Sequence, residues 1–191
     1  MIEVREERPT LATLQEYGTV SIAFLVESCY RAKPIRNGLG GWLLTEEPVE
    51  HPYIKNYDER DGDAPSRWAG RFDISNWGIL SAFEGPKRIG GATIAFNTPG
   101  LSMLEGPNIA VLWDIRVHPD CRRKGIGSLL FPRVVEWASA RQCTTLKIET
   151  QNINVPACKY YAHMGCQLRG IHPDAYPDLP DETQLLWYRR L

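Results

Sequence analysis

Arg122-Arg123-Lys124-Gly125-Ile126-Gly127 places three cations and two residues without side chains at the point where a strand gives way to a helix. Ile109 to Val117 is rich in β-branched and large apolar residues, and Pro119-Asp120 breaks the ladder just beyond it, so the strand ends near His118. Ser128-Leu129-Leu130-Phe131 then continues as a helix. The first N–H groups of a helix lack internal acceptors, the macrodipole is positive there, and glycine lets a ligand approach the backbone. Such a mouth binds anions, and a phosphate is the natural one. Two other glycine-rich nucleotide loops do not fit: Leu130 stands where a dinucleotide-binding turn needs its third glycine, and the chain has no Gly-Lys-Ser/Thr.

The elements that must hold this loop can be read around it. Upstream, 76–83 and 88–96 are apolar runs separated by Glu84-Gly85-Pro86-Lys87, and with 109–117 they predict an antiparallel meander of three strands. Downstream, Ile126, Leu130, Val134 and Ala138 recur at four-residue steps, predicting an amphipathic helix over 126–141 that contains Pro132. Residues 144–150 alternate as a strand, and strand–helix–strand implies a parallel return through a right-handed crossover. Asn154 and Pro156 open a short helix that ends at Gly165, and 166–171 and 184–190 close the sheet around a Pro- and Asp-rich loop, 172–181. The first 75 residues are less legible. Residues 19–30 suit a strand or a short buried helix, 37–41 a loop, and 42–45 a short edge strand. Residues 46–63 carry seven acids against Lys55 and Arg60, which describes either a solvated loop or a lip that attracts a cationic acceptor.

The totals narrow the class. With 191 residues, 43% of them apolar and 24% charged, and a net charge of −1, the chain reads as one ordinary globular domain spanning 1–191. A general nucleic-acid binder would be more basic, so no nucleic-acid partner is expected. No apolar run reaches the ~18 residues of a membrane span, and the first seven residues lack the order of a signal peptide, so no membrane partner and a cytoplasmic location are expected. The five cysteines are widely spaced without a C-x-x-C pair, which suits free thiols in a reducing compartment. Cys158 and His163 are five apart and fall on different faces of a helix, so no metal site is expected. A homodimer is compatible with these totals and nothing in them requires one.

In its context, Arg122-x-x-Gly125-x-Gly127 resembles the acyl-CoA pyrophosphate loop of the GCN5-related N-acetyltransferases (GNAT), whose pattern is Gln or Arg, two residues, Gly, one residue, Gly or Ala. A second family pattern, Asn, two residues, Ala, three residues, Tyr, then Gly, is matched by Asn154, Ala157, Tyr161 and Gly165. The resemblance implies an α/β fold with a mixed (α+β) sheet, in which an antiparallel meander precedes a βαβ unit whose two strands splay around a thioester. It assigns the acetyl-CoA core to 76–190 and a divergent, acceptor-side part to 1–75. Within the family, Pro52 to Tyr57, Asp114-Ile115, Arg123 to Ser128, Glu149 to Asn152, Ala157 to Tyr161 and Trp187-Tyr188-Arg189 resemble the streptothricin acetyltransferases, which acetylate the β-lysine amine of that antibiotic. Trp113, where an acid is usual, Cys166, where a Phe is usual, and Pro132 depart from that pattern.

What the resemblance implies for chemistry is acetyl transfer from acetyl-CoA, without a metal, to a small cationic amine by direct attack in a ternary complex. The donor's pyrophosphate is expected on the amides of Lys124, Gly125, Ile126, Gly127 and Ser128, with Arg122 and Arg123 as charge partners. Ile115, Arg116 and Val117 are expected to pair with the pantetheine arm through the main chain, leaving the Val117 N–H as oxyanion donor. Tyr161 is the candidate acid for the departing thiolate, or else a packing aromatic. Asp114 and Glu149 are candidate bases, direct or through water, or else structural acids. Asn154 either contacts the cofactor or caps its helix. His118, before a proline, reads as a turn residue. Acceptors other than streptothricin (a polyamine, an aminoglycoside, a protein N-terminus) remain open, as does a domain that binds acyl-CoA as a sensor without turnover.

Overall fold

The computed structural model describes every residue except Asp61, Glu105 and Pro107; the acidic stretch and the loop before 109, as read above, include these and to that extent lie outside the described residues. In chain order the elements are β1 (Ile2–Glu7), α1 (Leu11–Tyr17), β2 (Phe24–Pro34), β3 (Trp42–Lys55), α2 (Pro65–Arg71), β4 (Gly78–Glu84), β5 (Lys87–Phe96), β6 (Ile109–Val117), α3 (Ile126–Ala140), β7 (Thr145–Gln151), α4 (Val155–His163), β8 (Gln167–His172) and β9 (Gln184–Arg190). They form two compact units, one of residues 1–23, 56–147 and 190–191, the other of 24–55 and 148–189.

In the first unit the predicted meander is present as β4, β5 and β6, each antiparallel to the next, and β1 adds a fourth antiparallel strand on β4. Its core gathers Leu14 and Tyr17 of α1, Trp68 of α2, Trp77, Ile79, Ala95 and Val111. Two glycines allow the close approaches. A Cβ on Gly91 would lie 2.7 Å from both the Leu80 carbonyl and the Tyr17 ring, and one on Gly78 would lie 2.4 Å from Trp137. Opposite Thr93 and Ile94, β6 carries an extra residue, because Thr93 pairs with Asp114 and Ile94 with Leu112. Trp113 is that bulged residue. The bulge shifts the alternation, so Val111 joins the buried cluster that contains Tyr17 while Asp114, three residues on, bonds Tyr17, and Arg116 follows on the same face.

The second unit contains the antiparallel ribbon β2–β3, the antiparallel pair β8–β9, and α4. Val26, Cys29 and Ile153 form a buried cluster in it, with Phe24 and Val49 against them. Asn152 is its polar staple. Its backbone exchanges with Tyr30 and Thr183, while its side-chain amide donates to the Tyr30 carbonyl at 3.0 Å and accepts from the Thr183 N–H at 2.8 Å.

Several expectations need correction. The strand read over 19–30 starts only at Phe24, because the amides of Thr19 and Val20 still serve the end of α1, donating to Glu16 and Tyr17. Residues 46–55, read as loop, belong to β3, which is 14 residues long rather than a short edge strand. Their acids did not exclude a strand because no β3 side chain is buried, and Glu46 and Glu47 pair with Tyr30 and Cys29 across the ribbon. β1, α1 and α2 were not foreseen; each is at most seven residues long, too short for periodicity to declare.

Gly91→Ala tests the seat of Tyr17. With backbone on one side and a fully buried ring on the other, the added methyl should cost about 1–3 kcal/mol of stability, read as a lower urea midpoint at unchanged m-value.

Candidate active site

The anion loop lies between β6 and α3. A short 3-10 turn over Pro119–Cys121 follows β6, capped by His118, whose Nδ1 accepts from the Asp120 N–H at 3.3 Å, so His118 acts as a turn residue. Arg123 then takes φ +58° and Gly125 φ +82°, ψ 0°. A left-handed residue followed by a helical one turns successive N–H groups toward a common point, a concavity suited to an anion. Holding a non-glycine residue such as Arg123 in that region costs about 1–2 kcal/mol, so the surrounding structure must impose it. The first helical bond is Leu129 N–H to Gly125 carbonyl at 3.0 Å, and no side chain caps the start of α3. Arg123, Lys124, Gly125 and Ser128 are exposed, whereas Ile126 is buried as the anchor of the first turn.

Strand geometry fixes the end of β6. The His118 N–H donates to the Ile89 carbonyl of β5 at 2.8 Å. Hydrogen-bonding directions alternate along a strand, so the Val117 N–H and carbonyl face away from β5. That carbonyl accepts from Arg122 Nε at 3.0 Å, and Nη2 of the same guanidinium donates to the Ser21 carbonyl at 3.2 Å. Burial lowers the pKa of Arg122.

Asp114 and Arg116 occupy a buried ionic cluster. The Arg116 side chain is 1% exposed and Asp114 6%. Arg116 donates to both oxygens of Asp114 at 2.9 and 2.8 Å, to both oxygens of Asp58 at 2.8 and 3.1 Å, and to the Val20 carbonyl at 3.0 Å. Tyr17 donates to Asp114 at 2.5 Å and lies under the guanidinium, 5.0 Å from ring centroid to Cζ. Burial, and then the Asp114 charge, push the Tyr17 pKa well up; burial alone would lower that of Arg116, but the Asp114 carboxylate raises it. Both Asp114 oxygens are therefore engaged, and to accept a substrate proton it would have to give up bonds to a buried guanidinium. The structural-acid alternative is the one its geometry favours. Asp58, one of the acids of the 46–63 stretch, is not a solvated charge: it is 19% exposed and closes this cluster.

In the second unit, Glu149 accepts from Tyr176 at 2.7 Å and from the Gln184 amide at 2.8 Å, and Gln151 donates to Tyr176 at 3.1 Å. Burial, followed by the Glu149 charge, pushes the Tyr176 pKa up. Asn154 caps α4, its Oδ1 accepting from the Ala157 N–H at 3.2 Å, and Gly165 takes φ +77° after the helix. Tyr161 is buried on α4, its ring 5.4 Å from that of Tyr160 and 6.3 Å from that of Trp187. The Trp187 indole N–H is buried without a hydrogen-bond partner among the described residues. Burial pushes the Cys158 thiol up to about 12, which makes it a poor nucleophile. No group of three or more His, Cys, Asp or Glu among the described residues could hold a metal ion, and no helix among them is long and apolar enough to cross a membrane. Tyr17, Asp58, Tyr176 and Gln184 were missed from sequence, since each meets its partner across at least 27 residues of chain.

The model of the acetyltransferase (GNAT) family matches residues 41–166. Streptothricin acetyltransferase A of Bacillus subtilis (strain 168) is 30% identical over 151 residues, 78% of this chain and 80% of that protein. Among solved structures, a nourseothricin acetyltransferase has a TM-score of 0.76 at 21% identity, over 99% of this chain and 98% of its own. A protein from Bacillus anthracis str. Ames, solved in complex with acetyl coenzyme A, has a TM-score of 0.77 at 24% identity over the full length of both. These two likenesses give the fold; the family match and the Bacillus subtilis relative give the lineage. The chain belongs to the GNAT family and is an N-acetyltransferase.

Proposed function

We propose that the protein transfers the acetyl group of acetyl-CoA to a primary amine of a small cationic acceptor, and that the acceptor is streptothricin, modified at its β-lysine amine. The observation that carries the acceptor is the extent of the Bacillus subtilis relative, a streptothricin acetyltransferase aligned over 78% of this chain and so well beyond the donor loop. The free cysteines suit a cytoplasmic enzyme, where acetyl-CoA is available.

The donor's pyrophosphate sits on the amides of Lys124 to Ser128, with Arg123 and Lys124 at hand as exposed cations and Ile115 to Val117 offering main-chain groups to the pantetheine arm. The neutral amine attacks the thioester carbonyl; the C–N bond forms, negative charge moves to the oxygen, and the Val117 N–H donates to it. Collapse expels the CoA thiolate, which takes its proton from the Tyr161 phenol. The proton lost by the amine passes through water to Glu149, whose hydrogen-bond partners are the neutral Tyr176 and Gln184 rather than a guanidinium. Asn154 orders the start of α4, so that Tyr161 is held two turns along it.

Mass spectrometry of purified protein incubated with acetyl-CoA, streptothricin, a polyamine and an aminoglycoside tests the acceptor. A gain of about 42 Da on streptothricin alone, one acetyl group replacing one hydrogen, is expected. A gain only on another amine would keep the enzyme and discard this acceptor, and bound acetyl-CoA with no product across a wide panel would favour a sensor. Tyr161→Phe should lower turnover about 10²-fold, within the usual range for losing an acid catalyst, and leave acetyl-CoA affinity nearly intact. Unchanged turnover in single-turnover assays would remove Tyr161 from the mechanism.

A further inference from the structure

The segment Gly18–Ala23, between α1 and β2, contains no helix or strand, yet two arginines of the donor-side machinery hold it. Arg116 Nη1 donates to the Val20 carbonyl and Arg122 Nη2 to the Ser21 carbonyl, so consecutive carbonyls are gripped by guanidiniums from β6 and from the anion loop. The second grip is shared with the reacting end of β6, because Arg122 Nε holds the Val117 carbonyl. One planar guanidinium thus spans Val117 and Ser21, tying the segment to the residue whose amide is assigned to the oxyanion. The rest of the segment is braced as well, with Val20 buried and the Ser21 hydroxyl accepting from the Ala23 N–H at 3.2 Å. Arg122 is half-buried, whereas Arg123 and Lys124 beside it are exposed. A phosphate partner would be expected to turn its fork outward; here two of the fork's nitrogens are committed to backbone.

We infer that Arg122 is a positioning residue rather than a charge partner of the pyrophosphate: it fixes Val20–Ser21 as a wall beside the Val117 end of β6, and so shapes the approach of the amine. The inference rests on the acetyl-transfer reading given above. It explains why arginine suits this place, since lysine, a single point of charge, cannot bridge two carbonyls with one rigid group.

Arg122→Lys keeps the charge and removes the fork. Three quantities are compared with the parent protein: the acetyl-CoA Kd by calorimetry, the streptothricin KM and kcat, and hydrogen–deuterium exchange of the peptide covering residues 18–23. The expected result is an acetyl-CoA Kd within about twofold, faster exchange at 18–23, and a streptothricin KM raised about tenfold with kcat little changed, as a misplaced wall should give. Arg123→Gln, in contrast, should weaken acetyl-CoA binding and leave the exchange at 18–23 alone. Unchanged exchange at 18–23 in Arg122→Lys, or an acetyl-CoA Kd raised tenfold or more, overturns the inference. If Arg122→Lys does not fold, Arg122→Gln is read by the same criteria. Were streptothricin not acetylated by the parent protein, the functional reading would fail by itself, while the exchange and acetyl-CoA measurements would still decide the role of Arg122.

Discussion

A guanidinium withdrawn from water constrains the first unit more than any apolar contact in it. Arg116 is almost wholly buried, and an isolated charge in that position would cost several kcal/mol. Asp58 and Asp114 must therefore both be present and correctly aimed, and Tyr17 must lie beneath. Each partner comes from a different stretch: α1, the turn after β3, and β6 itself. The cluster contributes little net stability as an ion pair, but losing one partner is expensive, so it acts mainly by specifying a single arrangement of those three stretches. Gly91 belongs to the same constraint, since only a residue without a side chain leaves room for Tyr17 over β5.

The bulge at Trp113 makes this cluster compatible with a packed sheet. Without the extra residue, Asp114 would share a face with Leu112 and oppose Val111, and the ions would point away from Tyr17. Trp113 itself joins Trp68, Phe72 and Trp77 in an aromatic group with ring centroids 5.2 to 6.2 Å apart. The indole, at a position where the resemblance implies an acid, thus packs against three aromatic rings. The departure noted from sequence becomes part of the core.

What sequence could disclose followed from how local each signal is. The meander, α3, α4 and β9 declared themselves because their apolar periodicity and their Gly, Pro and Asn boundaries lie within a few residues of one another. The glycine-containing turn between β6 and α3 was legible for the same reason. β3 was hidden by Glu46, Glu47, Glu50 and two prolines, which read as loop unless one knows that the strand buries no side chain. The roles of Asp58, Tyr17 and Tyr176 were not legible at all, because a surface acid and a packing aromatic look the same in sequence whatever they meet. Asp114 shows the limit most clearly. It was placed correctly on its strand, but whether its carboxylate faces substrate or a buried cation depends on a bulge that no turn residue marks.

A main-chain anion site and a wall built of side-chain ties make different demands on the sequence. An anion held by main-chain amides requires only that the backbone adopt a given path, so a few glycines and one left-handed residue suffice, and side chains around them are free to vary. A wall beside the acceptor requires instead that separate segments be tied together, and the ties are Arg116 to Asp58 and Val20, and Arg122 to Ser21. One end of each tie lies on β6 or the turn after it, while the other lies among residues 20–58. At Val20 and Ser21 the arginines grip carbonyls, which every residue possesses, whereas at Asp58 the tie is to a carboxylate that only an acid supplies. The path of Val20 and Ser21 is thereby fixed without fixing their side chains.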